Sequence, residues 1–306
     1  MILLGELAAL FTSLAWSFTS VQFTLAGRRV GSAVVNRTRL LVALIFLSLA
    51  HLLLTGALWP LTAAPTRWFW LGASGIIGLT LGDACLFQSY VLIGPRRAML
   101  LMTLAPIISS LLAWLWFAEA LTPLQIFAML VSLGGVAWVT VAPRNQVSSG
   151  AVIFVGDHDR RAYVNGVLLG IGAALGQALG LLLAKKGMAG DFPTLSATLI
   201  RILVALLTIW LFTLLQGRMR ATLLALQDRT ALRFIVGGAF TGPFLGIWGS
   251  MVAVQNAPLG IASTLLALPP VLLIPLMHWI FHEKITPRAV IGTLVALTGA
   301  ALLFLK

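Results

Sequence analysis

Charge is what this sequence has least of: eight acidic residues stand among 306, and only 9% of the chain is charged. A soluble globular domain carries about 25% charged residues, so the polar side chains needed to clothe a water-facing surface of this size are missing. Cysteine is nearly absent too. Cys85 stands alone, which excludes an intrachain disulfide and a Cys-based metal centre; in its apolar run it is expected to be a buried, inert thiol. Catalytic apparatus is equally thin. No HExxH and no P-loop pattern occurs, and His158 and Asp159 lie in a polar interval with no identifiable partner, so neither a nucleophile with its base nor a metal constellation is written here. No cofactor is implied. The basic excess, net +12, is scattered between apolar runs rather than gathered on a soluble domain, which sets nucleic acid aside.

What is present is hydrophobicity, 60% of the chain, laid out in long runs. A helix needs about 20 apolar residues to cross a bilayer. Uncharged runs cover 7–27, 40–59, 98–118, 120–143, 162–184 and 289–305. Two others are broken by one charge each, 68–95 by Asp83 and 192–217 by Arg201. The stretch 234–282 has no Asp, Glu, Lys or Arg and is too long for one span; Asn256-Ala257-Pro258-Leu259-Gly260 divides it. The expectation is an all-α integral membrane protein of ten helices. The first run lacks a basic n-region and reads as a retained helix rather than a leader. The longest polar interval, 144–161, reads as a linker between a first half, 1–143, and a second, 162–306.

The two halves repeat. Residues 103–123 read TLAPIISSLLAWLWFAEALTP and residues 267–287 read ALPPVLLIPLMHWIFHEKITP. At this offset Leu104 meets Leu268, Pro106 meets Pro270, Glu119 meets Glu283 and Pro123 meets Pro287. Gly78, Gly82 and Gly135 meet Gly242, Gly246 and Gly299, and a slightly shorter offset pairs Arg39 with Arg201. Five helices per half is an odd number, so the second copy lies upside down relative to the first. Inverted repeats are the architecture of secondary transporters, with the solute near the midplane where the halves meet. Pro106 and Pro270 sit inside their helices on this reading and are expected to kink them, as static bends or as hinges.

Residues and spacings of this kind resemble the drug/metabolite transporter superfamily in its ten-helix EamA-like branch. The resemblance rests on Ala98…Pro106…Glu119 and its copy Ala262…Pro270…Glu283, on Gly134-Gly135 and Thr298-Gly299, on Trp16 in the first helix and on the paired Arg39 and Arg201. It implies a carrier of small solutes such as amino acids, sugars, nucleotide conjugates or drugs. The family pattern often has glycine immediately before the glutamate; Ala118 and His282 stand there instead.

Polar groups at membrane depth are expensive and mark cavities or partners. Gln22, Gln88, Gln177 and Gln255 fall in four different helices, and as a set they read as the lining of a polar cavity, with Trp16 and Trp248 as apolar walls. Any one of them alone reads as an interhelical hydrogen bond. Asp83 is the deepest acid, and burial disfavours its charged form, so it is a candidate for proton coupling; Arg39 and Arg201 are candidates for ion pairing with it or for snorkelling. Helix 162–184 carries small-residue ridges, Gly166, Gly170, Ala174, Ala178 and Gly172, Gly176, Gly180, Ala184, which suit close helix packing. His278 and His282 share a helix face, as a metal site requires, but no third ligand is evident, so no metal is expected.

The partners expected are therefore a small-molecule solute and a lipid bilayer, the plasma membrane. Oligomeric state is left open, a homo-oligomer included. Fourteen Lys and Arg fall in loops after odd-numbered helices against four on the other side. Positive-inside then puts both termini outside, whereas the resemblance implies both inside. An intramembrane enzyme and a passive channel are the alternative functions. The channel should lack the kinked, inverted pair.

Overall fold

A computed structural model describes residues 3–141, 160–272, 274–275 and 287–303. Every regular element among them is helical. In chain order these are α1 (Leu4–Val30), α2 (Ser32–Thr55), α3 (Pro65–Ser74), a π-helical segment π1 (Gly75–Gly82), α4 (Asp83–Met102), α5 (Leu104–Phe117) and α6 (Pro123–Val141). They continue with α7 (Arg160–Gly187), α8 (Thr194–Leu215), α9 (Met219–Ala225), α10 (Arg229–Ala239), a second π segment π2 (Phe240–Ile247), α11 (Trp248–Asn256), α12 (Leu259–Leu266) and α13 (Pro287–Leu302). Among the described residues seven helical stretches are long and apolar enough to cross a membrane, and 123–138, 259–272 and 287–302 are shorter apolar helices. Most of the expected linker, Glu283, and the His278 and His282 pair lie outside the described residues.

The chain forms two compact units: Met1–Thr80 with Leu179–Ala257, and Leu81–Ala178 with Pro258–Lys306. Each therefore takes elements from both sequence repeats. In the first unit α2 packs on α8 through Leu40, Ala43 and Leu47 against Leu199, Ile202, Ala205 and Leu206. Helix α1 lies antiparallel along α10, π2 and α11, and the contact is a track of glycines. Gly5 faces Asn256 and Ala257, Gly249 faces Thr12, Gly246 faces Trp16, Gly242 faces Thr19, Gly238 faces Phe23 and Gly237 faces Gln22. Helices in lipid gain nothing from burying grease against grease, so such close approach of backbones is what holds them. On the same terms Gly180 of α7 meets the backbone of Gly78, and Ser74 donates to the Gly180 carbonyl at 2.5 Å.

In the second unit α6 and α13 pack antiparallel and reciprocally. Gly135 lies on the backbone of Ala296, and Gly299 lies on the backbone of Ser132. Ser132 and Ala296 stand at the same repeat offset as Gly135 and Gly299, so each helix offers its copy the same surface. The first ridge of α7 is also used here. Gly166 and Gly170 receive Ile93 and Leu101, Ala174 and Ala178 are fully buried, and Ser89 donates to the Gly166 carbonyl at 2.9 Å.

Three boundaries differ from the sequence expectation. Helix α2 begins at Ser32, with Arg37 and Arg39 inside it and buried. Arginines cut the apolar run but not the helix, because Arg37 finds Thr222 (2.8 Å) and Arg39 finds Asn36 (2.9 Å). Helix α4 runs on through Gly94 and Pro95 to Met102, where a loop at Arg96-Arg97 was expected. The break falls at Thr103 instead, and its cause is Pro106. A proline has no N–H to give the carbonyl four residues back and its ring collides there; that residue is Met102, the last of α4. The same holds in the copy. Four residues before Pro270 is Leu266, the last of α12. Both ends close with the same short bond, Thr103 N–H to Leu100 (3.2 Å) and Ala267 N–H to Thr264 (3.1 Å). Each proline then occupies a first helical turn, where its missing N–H costs nothing.

Candidate functional site

The sequence candidates divide between the units. Trp16, Gln22, Arg39, Arg201, Trp248 and Gln255 belong to the first unit, and Asp83, Gln88, Gln177, Pro106 and Pro270 to the second. Helix α1 brings several of the first group onto one face. Trp16 and Gln22, both half-buried, rest on Gly246 and Gly237, and between them the Thr19 and Thr241 hydroxyls meet at 2.8 Å. The neighbouring Phe23 ring lies on Gly238 and carries the Arg39 guanidinium 5.9 Å from its centroid. The result is a polar and aromatic stripe laid over glycines of π2 and its flanks.

Other candidates have structural engagements. The Gln255 amide donates to the Phe192 carbonyl (2.9 Å), tying the end of α11 to the turn before α8. Trp248 donates from Nε1 to Thr194 Oγ1 (3.2 Å) and lies against Phe244, the rings tilted by 40°. Arg201, 3% exposed, reaches the Met251 sulfur (2.8 Å), while Gly75 of π1 lies on its backbone carbonyl. In the second unit Asp83 is half-buried at the first position after π1, Gln88 is exposed beside the buried Ser89, and Gln177 is half-buried on α7. No cluster of three His, Cys, Asp or Glu suited to a metal occurs among the described residues.

Sequence reasoning missed the two π segments. Eight-residue π-helices replace α-helix at 75–82 and 240–247, one in each repeat at matching places. Such segments widen the turn and cluster at functional sites. The signal was in the sequence as the glycine pairs Gly78 with Gly82 and Gly242 with Gly246, which were read as repeat markers only. Glu6, immediately before the first apolar run, is a further buried acid. It is 3% exposed in the first turn of α1, and among the described residues its Oε2 has no donor.

Glu119 is better placed than a solvated turn residue. Its Oε2 accepts from the backbone N–H of Leu259 (2.8 Å), the first residue of α12. A carboxylate there meets the positive end of the helix. Ala118 before it takes the left-handed conformation, φ 53°. That conformation costs an L-residue roughly 1 kcal/mol and a glycine nothing, which is the physical reason glycine suits this position. The turn survives with alanine in it. On the first unit's basic end, Asp228 caps α10 by accepting from Thr230 and Ala231 and pairs with Arg29 at 2.8 Å. The Ala231 N–H, and after it Arg29, hold its carboxyl below the usual range.

Comparison with known proteins agrees with this architecture. The model of the EamA-like transporter family matches residues 3–141 and 164–305. No curated protein matches in sequence. A solved crystal structure of a protein superposes with a TM-score of 0.74 at 17% identity, over 97% of this chain and 95% of that one. That likeness is one of fold.

Proposed function

The chain belongs to the EamA-like transporter family, a family of multi-pass membrane transporters of small solutes and not of enzymes, and from that premise we propose a secondary transporter. It moves a small metabolite, amino acid or drug-like solute across the plasma membrane by alternating access between two inverted five-helix halves, ten spans in all. The observation that carries this is the reciprocal, antiparallel contact of α6 with α13, Gly135 on Ala296 and Gly299 on Ser132. A self-complementary contact between equivalent surfaces requires a two-fold axis between them. For antiparallel helices crossing a membrane that axis lies in the membrane plane, as inverted-repeat transporters require. Pro106 and Pro270 then serve as paired hinges, one per half.

In the first unit Trp16 and Gln22 line the solute path with Arg39. In the second, Gln88 and Gln177 are solute-facing. Gln255 and Trp248 act mainly by bracing the start of α8. Cysteines placed singly at 16, 88, 177 and 255 in a Cys85→Ser background test this. Those at 16, 88 and 177 should react with a water-soluble thiol reagent and be protected by solute, and the one at 255 should be slow. Uniform inertness would remove the path. Asp83 carries the coupling proton on this reading. Asp83→Asn should keep solute exchange and lose the response to an imposed pH gradient; intact pH-driven transport in the variant would refute the assignment.

A further inference from the structure

The first unit gathers its cations at one end. Arg29 pairs there with Asp228, next in sequence to Arg229, and Arg37 bonds Thr222 and lies near Arg218. On this end α10 presents a wide-open hollow of about 420 Å³, lined by Arg229, Leu232, Arg233 and Val236 of that one helix. The spacing puts the two guanidinium groups one turn apart on one face, with the two aliphatic side chains beside and beyond them. Among the described residues no carboxylate lines the hollow, and the adjacent Asp228 is engaged by Arg29 and by the amides of Thr230 and Ala231. Beyond the hollow the same face continues as exposed hydrocarbon, Val236 at 37% and Phe240 at 43%. The short helix α9 before it holds Leu223 and Leu224 exposed at 53% and 54%. Cationic at the helix start and apolar along its body, this face has the polarity of a lipid: headgroup, then chain.

We propose that the Arg229 and Arg233 face of α10 is a binding site for an anionic glycerophospholipid, its phosphate held by the two guanidinium groups and an acyl chain laid along Val236 and Phe240. Charge complementarity and continuity with the exposed apolar face select a lipid over a soluble anion, because inorganic phosphate would leave Val236 and the outer side of Phe240, whose ring also packs on Phe46 and Phe244, uncovered. Guanidinium suits phosphate through its paired N–H groups. On the orientation given by the loop charge count this end lies on the cytoplasmic side, where anionic lipid attracts basic residues.

The test is native mass spectrometry of the purified full-length chain with dioleoylphosphatidylglycerol, dioleoylphosphatidylcholine or inorganic phosphate. The phosphatidylglycerol adduct should form at about tenfold lower concentration than the phosphatidylcholine adduct. Arg229→Gln with Arg233→Gln should abolish that preference while the melting temperature in detergent stays within a few degrees. If the double variant does not fold, Arg233→Gln alone should still reduce the preference severalfold. Arg220→Gln, an exposed cation on α9 outside the hollow, should leave it unchanged. Equal reduction by Arg220→Gln means diffuse charge rather than a site. That result, an undiminished preference in the double variant, or phosphate competing as well as the lipid would each overturn the proposal.

Discussion

Ala118 and Glu119 show how much a single position can carry. Alanine holds a left-handed turn there that glycine would hold without strain. Ala118→Gly should therefore raise stability by about 0.5–1 kcal/mol, read as a higher melting temperature in detergent with transport unchanged. Glu119→Ala removes the acceptor for the Leu259 N–H. It should cost about 1 kcal/mol, and amide exchange at the start of α12 should accelerate first. Asp228 supplies a pH prediction with a definite sign. Its carboxyl is lowered, so its cap is fully in place at neutral pH and is lost only as pH falls through a value below the usual carboxylate range. Exchange at the Thr230 and Ala231 amides should stay protected at pH 5 and open only in stronger acid; opening near pH 6 would contradict the assignment. The sequence made these residues visible as rare polar groups in apolar surroundings. It did not reveal their partners, because a partner such as the Phe192 carbonyl of Gln255 is a backbone atom with no side-chain signature.

Among elements, the proline pair is the most instructive case. The sequence marks Pro106 and Pro270 as equivalent and suggests that both lie inside their helices; the chain instead breaks before each, so both stand in a first turn. The position of the break was not legible from charge. Arg96-Arg97 looked like a loop, yet α4 passes through it and stops at Met102, where the proline ring decides. The π segments were hidden for a similar reason: periodicity over eight residues does not separate a π-helix from an α-helix, although their paired glycines were in plain view. Pro106→Ala and Pro270→Ala should each rejoin the helix across the break. Stability should hold or rise, and transport should fall several-fold if the breaks act as hinges. Transport at the wild-type rate in both variants would reduce them to static bends. Gly299→Leu, by contrast, drives a side chain into the Ser132 backbone. It should destabilise by about 1–3 kcal/mol, and Gly135→Leu should match it because the contact is reciprocal.

At the largest scale, the repeat was the strongest statement in the sequence, and the family model matches the chain in two corresponding segments, 3–141 and 164–305. What the repeat could not convey is that the compact units exchange elements, so that each is built from both copies. Linear order records duplication, whereas packing partners are chosen by which faces carry glycine, and α1 finds its glycine track on π2 and α11 rather than on its sequence neighbours. The central claim is carrier-type transport by alternating access. A ligand that binds the native state raises its melting temperature, so a metabolite library screened against the purified chain supplies the solute. Counterflow in proteoliposomes with that solute then tests the claim most directly. Labelled solute should enter faster, and transiently accumulate, when unlabelled solute is trapped inside. An influx indifferent to internal solute, rising linearly with external concentration, would be that of a pore and would contradict the claim.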